Sequence, residues 1–230
     1  MTQQRAIDTR ADLLAGAARE FARYGYAAAS VNNILANTAC TKGAMYFHFA
    51  SKREMAEAIL DTATKVYTRI GRHWAIAEDV RPLDALAGMV DDAGEAFVNE
   101  TALRAEARIS LEPEFLERRP WTAWEHSAVE LASRAAESDR FTEGFTPEKF
   151  VRVLSASLAG HRLLAHIVPT EVSDSVRHGY TESFQIVVAA ATRRAQPDPT
   201  VADRPSGQAK GRSAFDVQQP HTNRAESTPC

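Results

Sequence analysis

Residues Ser30 to Phe49 read SVNNILANTACTKGAMYFHF, and this stretch decides the fold. Ser30 suits the N-cap of a short helix. Val31, Ile34 and Leu35 then recur at helical spacing and turn one face to a core. Ala39 and Cys40 are small enough for a close helix crossing. Thr41 can cap a second short helix that opens with Lys42 and Gly43. A hydroxyl, a cation and a glycine at a helix start let backbone approach DNA closely, with Lys42 in reach of phosphate or a guanine edge. Tyr46 and His48 add polar tips beside Met45, Phe47 and Phe49, of which the two phenylalanines are expected in the core. Helix, tight turn and second helix together make a helix-turn-helix module.

Working outward, the chain reads as helical almost throughout. Asp8 to Tyr24 carries Leu14, Ala17, Ala18 and Phe21 on one face, and Gly25 closes it. Ser51 with Glu54 forms a capping box for a long helix reaching about Trp74. Pro82 starts a helix bearing Leu86, Met89, Val90 and Phe97. A shorter piece spans Leu103 to Leu111, and a break runs from Pro113 to Pro120. Further helices follow from Pro120 to about Glu137, from Pro147 to Ile167, ended by Pro169, and from Glu171 to Arg194. No segment shows strand alternation, so the expected fold class is all-α: an N-terminal three-helix DNA-binding unit and a C-terminal helical ligand-binding and dimerisation domain. The expected boundaries are 1–50, 51–195 and a tail at 196–230.

Charge follows the same division. The whole chain of 230 residues has a formal net charge of −3. Met1 to Arg72 holds ten Lys and Arg against six Asp and Glu, a net of +4. His73 to Ala195 holds thirteen against twenty, a net of −7. A basic end for phosphate and an acidic end held away from it fit a DNA-binding protein. After Ala195 half of the ten prolines crowd between Pro197 and Pro229, and large apolar residues nearly vanish. That tail is expected to be disordered, with an inert role preferred over weak extra DNA affinity through Arg204, Lys210, Arg212 and Arg224.

Other function classes are disfavoured by residue type. Cys40 and Cys230 make no disulfide framework. No N-terminal run resembles a signal peptide and no apolar run nears about 18 residues, so a cytoplasmic, membrane-free protein is expected. There is no Gly-rich phosphate loop and no nucleophile elbow. His161 and His166 stand five apart, the wrong helical spacing for a shared metal. No enzyme, metal or cofactor is expected.

FARYGY (Phe21 to Tyr26) and TKGAMYFHFASKREM (Thr41 to Met55) resemble the TetR family of bacterial regulators, closely over about residues 8 to 60. Within it, TKGAMYFHF is most similar to the γ-butyrolactone receptor branch, and LRAEARISLE (Leu103 to Glu112) and PWTAWE (Pro120 to Glu125) agree more weakly. The resemblance implies a homodimer, paired through its last two long helices, that binds a double-stranded DNA operator and answers to a small hydrophobic signal molecule. It implies DNA contacts from Ser30, Thr41, Lys42, Gly43, Ala44, Tyr46, His48 and Lys52. Trp124 aligns with a tryptophan that lines the branch's pocket. Trp121, Met89, Phe97, Ile109, Leu111 and Phe150 are expected to complete an apolar chamber, with Ser157 or His161 supplying a polar group. Ala63 stands where the branch often carries a glutamine, so a furan, butenolide or antibiotic intermediate remains open as ligand. The expected function is a repressor controlling secondary metabolism. A multidrug or metabolite-sensing repressor of the same family, or a helical adaptor with a degenerate DNA unit, are the alternatives.

Overall fold

The computed structural model describes residues 2–139, 141–167 and 172–192. The expected tail at 196–230 and the stop at Pro169 lie outside them. Among the described residues there are nine α-helices and no strands: α1 (Thr2–Tyr24), α2 (Val31–Ala36), α3 (Lys42–His48), α4 (Lys52–Ala75), α5 (Pro82–Asn99), α6 (Thr101–Ile109), α7 (Thr122–Ser138), α8 (Pro147–Ile167) and α9 (Val172–Thr192). A single 3-10 turn, Pro113–Phe115, bridges α6 and α7. The described helices belong to one compact unit, Met1–Arg194. No described helix is long and apolar enough to cross a membrane.

Local chemistry accounts for the boundaries. Gly25 sits at φ +80° and its N–H donates to Phe21 O at 2.9 Å, which ends α1. Ser30 Oγ accepts from Asn33 N at 3.1 Å, and Thr41 Oγ1 accepts from Ala44 N at 3.2 Å. Ser51 Oγ accepts from Glu54 N at 3.1 Å, while the Glu54 carboxylate accepts from Ala50 N at 2.6 Å. The return bond of this box thus lands one residue before the cap. α1 begins at Thr2 rather than the expected Asp8, with Gln4 donating to Asp8 one turn on. Its fully buried stripe is Leu13, Ala17 and Phe21, while Leu14 is only half-buried. Gly16 sets that rotation, because a Cβ there would collide with the Thr38 methyl at the crossing with α2.

Two apolar cores divide the molecule. The first gathers Leu13, Phe21, Ile34, Met45, Phe49 and Met55 from the N-terminal helices. It also takes in Ala105 and Ile109 of α6, and Phe115. The second gathers Leu86, Phe97, Leu131, Phe150, Leu154 and Tyr180, with Leu103 of α6 among its members. α4 likewise spends Met55, Ile59 and Leu60 on the first core and Val66, Tyr67 and Ile70 on the second. α4 and α6 are therefore the elements that belong to both cores.

Candidate DNA interface and ligand cavity

The geometry of α3 follows from its length. Seven residues make barely two turns, so one stripe can be buried, and Met45 with Phe49, four apart, takes it. Phe47 stands on the opposite side and is 80 % exposed, which corrects its expected place in the core. Lys42, Gly43, Tyr46 and Phe47 form one exposed surface, with Ala44 and His48 half-buried at its edge. A Cβ on Gly43 would touch only Thr41 Oγ1, at 3.9 Å. Nothing within the protein therefore requires glycine there, and the space it leaves faces outward. The hydroxyls of Ser30 and Thr41 serve as caps.

Lys52 is placed differently from expectation. Its Nζ donates to Tyr26 O at 2.8 Å and Ala29 O at 3.0 Å, and it lies 4.4 Å from the centre of the Tyr26 ring. These bonds tie α4 to the loop between α1 and α2. The ammonium is committed to carbonyls that would otherwise go unpaired.

The second feature is a cavity of about 710 Å³ walled by α4, α5, α6, α7, α8 and α9. Trp121, Trp124 and Leu111 line it, as the sequence suggests. Met89, Phe97, Ile109 and Phe150 do not line it; each is fully buried in core packing. Ser157 Oγ donates to Val153 O at 3.1 Å, and His161 Nε2 lies 3.0 Å from Ser183 Oγ on α9. α8 explains the split. Val151, Ser155, Leu158 and Arg162 recur at three- and four-residue steps and face the cavity, so Ser157 and His161 lie off that stripe.

The polar floor of the cavity escaped the sequence reading. Glu106 is completely buried and accepts from Arg162 Nη1 at 2.8 Å. Ser110 Oγ bonds the same carboxylate at 3.1 Å, and Tyr67 Oη donates to it at 3.3 Å. Arg162 Nη1 also reaches Tyr67 Oη at 2.6 Å. Burial pulls the Arg162 guanidinium toward neutrality, but Tyr67 and Glu106 outweigh it and hold it charged. Burial pushes the Tyr67 hydroxyl well above the usual phenol range, so it stays protonated. The ion pair leaves this part of the wall without net charge. Trp124 Nε1 and Ser155 Oγ, both in cavity-lining residues, are buried without a hydrogen-bond partner. Each costs about 1–3 kcal/mol unless an acceptor or donor arrives. A mostly apolar cleft with a neutral polar floor and two unsatisfied groups suits an uncharged, mostly apolar molecule that carries a few oxygens.

A sequence signal for the floor did exist. Glu106 falls three residues from both Leu103 and Ile109, on the apolar stripe of α6. A carboxylate on a buried stripe requires a cation nearby.

Residues 13–69 match the family model of bacterial regulatory proteins, tetR family. The chain is 30% identical over 168 residues to the A-factor receptor protein of Streptomyces griseus, covering 71% of this chain and 57% of that one. It spans about half the length of the curated relatives it matches. The solved structure of CprB from S. coelicolor A3(2), titled a TetR family protein, matches with a TM-score of 0.67 at 26% identity, over 82% of this chain and 91% of that one. A γ-butyrolactone receptor structure, titled an ArpA-like protein, matches with a TM-score of 0.60 at 25% identity, over 80% of this chain and 98% of that one. The helix-turn-helix lies inside the residues that match the tetR family model, and the fold is shared along nearly the whole of those two structures, so the chain is similar to TetR-family regulators in both its DNA-facing and its cavity-bearing parts.

Proposed function

We propose that the chain is a ligand-responsive transcriptional repressor. It binds a pseudo-palindromic operator as a homodimer and is released by a small hydrophobic signal of the γ-butyrolactone type. The observation that carries this reading is the double membership of α6. One side of that helix, through Glu106 and Ser110, forms the cavity floor. The adjoining strip of the same helix, through Ala105 and Ile109, belongs to the core that supports α2 and α3. A ligand that bonds differently to two positions of α6 changes the placement of the recognition helix, as a shift between two states requires.

In this reading residues 1–50 form the DNA unit and 51–195 the signal and dimer unit. Lys42, Gly43, Ala44 and Tyr46 contact the groove and its phosphates, with Ser30, Thr41 and His48 at the edges. Phe47 joins them, since an 80 % exposed phenyl beside Lys42 can pack on thymine methyls. The signal lies against Trp124, Trp121 and Leu111 above the Glu106–Arg162 floor. Dimerisation uses α8 and α9, where Leu164, Ile167 and Ile186 stand 53 %, 65 % and 69 % exposed. Exposed apolar residues concentrated on two long helices support a contact with a second copy. Similarity to an A-factor receptor and to γ-butyrolactone receptors supports the choice of signal.

A footprint on the DNA upstream of the gene, with and without an alkyl-substituted γ-butyrolactone, tests the reading. Protection that covers two half-sites and disappears with the lactone is expected. Lys42→Ala gives a sharper check of the interface. A dimer loses two phosphate contacts, so the slope of log K against log salt falls by about 1.8, at about 0.9 per contact. Operator affinity falls at every sequence tested, because phosphate contacts carry no base information. An unchanged slope rules out Lys42 at the phosphate.

A further inference from the structure

A second recess of about 380 Å³ lies where α1, α6 and α8 meet, one turn of α8 beyond Arg162. Its walls carry Arg19 and Arg23 of α1, Arg104 of α6 and His166 of α8, and no carboxylate. Arg108 stands close by, its Nη1 donating to Arg23 O at 2.9 Å. None of the ion pairs among the described residues involves any of these four arginines. Three of the guanidiniums are held instead by neutral oxygens, and that of Arg23 lies 5.1 Å from the centre of the Tyr24 ring. Arg19 Nη2 donates to Asn37 O at 3.1 Å. Arg104 donates to Phe97 O at 3.3 Å, to Val98 O and to Thr101 Oγ1 at 2.9 Å. Each guanidinium has five N–H donors, so donors remain on every one of them. The acids near them in sequence are already engaged: Glu20 accepts from Asn33, Glu106 pairs with Arg162 and Glu100 pairs with Arg69. His166 Nε2 is buried and has no partner.

Four cations gathered without a counter-charge is a costly arrangement that an anion relieves. We propose that this recess binds a small phosphate-type oxyanion, free or as the monoester group of a metabolite, between the guanidiniums of α1 and α6 and the ring of His166. The paired oxygens of such an anion match the planar guanidinium fork bidentately, a geometry that a spherical chloride ion does not offer. Its position between α1 and the α6–α8 pair makes it a second effector site, distinct from the larger cavity. His166 supports the assignment. Desolvation, then Arg108 and Arg104, lower its pKa to about 4, so an anion beside it reverses the electrostatic part of that shift.

The test uses the full chain without DNA or lactone, so its outcome is independent of the cavity reading. Inorganic phosphate is titrated by calorimetry against chloride at constant ionic strength. Saturable binding is expected, weakened at least tenfold in Arg23→Gln and in Arg19→Gln, two exposed positions whose replacement leaves the cores intact. The His166 ring resonances are expected to titrate near pH 4 in chloride and at clearly higher pH in saturating phosphate. Heats that follow ionic strength alone, or that are equal in wild type and variants, overturn the proposal. So does a His166 midpoint that phosphate leaves in place. A third result separates the source of phosphate: if wild type binds no free phosphate while Arg23→Gln weakens operator binding, these arginines serve the DNA backbone and the proposal fails.

Discussion

Arg162→Met will lower the stability of the fold by about 3–5 kcal/mol, the usual cost of removing one partner of a buried ion pair. The argument rests on what is left behind. Glu106 is fully buried, and among the described residues Arg162 is its only cationic partner. Without the guanidinium the carboxylate keeps only the hydroxyls of Ser110 and Tyr67. It must then be protonated or draw water into the cavity, and either response costs free energy. For a domain of this size about 1 kcal/mol moves Tm by about 2–4 °C, so thermal and urea unfolding both read the change clearly. The double variant Glu106→Met, Arg162→Met recovers most of the loss, because apolar groups of similar size leave no charge unpaired. The pair therefore gives the cavity a fixed polar floor more than it gives the protein stability. A single variant that unfolds at the wild-type temperature would show that Glu106 is solvated in solution.

How far residues alone reveal such a site depends on whether the signal is local. Ser30, Thr41 and Ser51 are caps because a hydroxyl followed by a free N–H three residues on needs no distant partner. Gly25 is a stop for the same reason, as its left-handed conformation belongs to the residue itself. Those four positions place α1 to α4, and with them the helix-turn-helix. Phe47 went the other way because periodicity marks apolar residues but not the number of stripes a two-turn helix can bury. The cavity was harder still. Met89, Phe97 and Phe150 are apolar residues on helices just as Trp124 is, and only the packing of six helices decides which side of each faces the void. Arg162 looks like a solvated charge until Glu106, 56 residues earlier, is brought beneath it. Lys52 shows the converse: a lysine in a DNA-facing segment is consumed by backbone carbonyls of a neighbouring loop.

Trp124 carries the second large effect. Its ring is 4 % exposed and forms part of the cavity wall, and its Nε1–H has no acceptor within the protein. Trp124→Ala removes the largest apolar surface of that wall together with the donor, and release of the operator by an alkyl γ-butyrolactone is abolished. Operator binding without lactone persists, since Trp124 belongs to the core around α5 and α7 and not to the one beneath α3. Trp124→Phe divides the effect. The ring stays, so shape is kept, and only the N–H is lost. One hydrogen bond contributes about 0.5–1.5 kcal/mol, which is about 2- to 13-fold in the lactone concentration needed for half release. A lactone whose ring carbonyl is reduced loses the acceptor instead, and it should release wild type and Trp124→Phe at the same concentration. Equal release of the two proteins by the intact lactone would show that the indole N–H finds its partner elsewhere. Unimpaired release of Trp124→Ala would place the signal outside this cavity altogether.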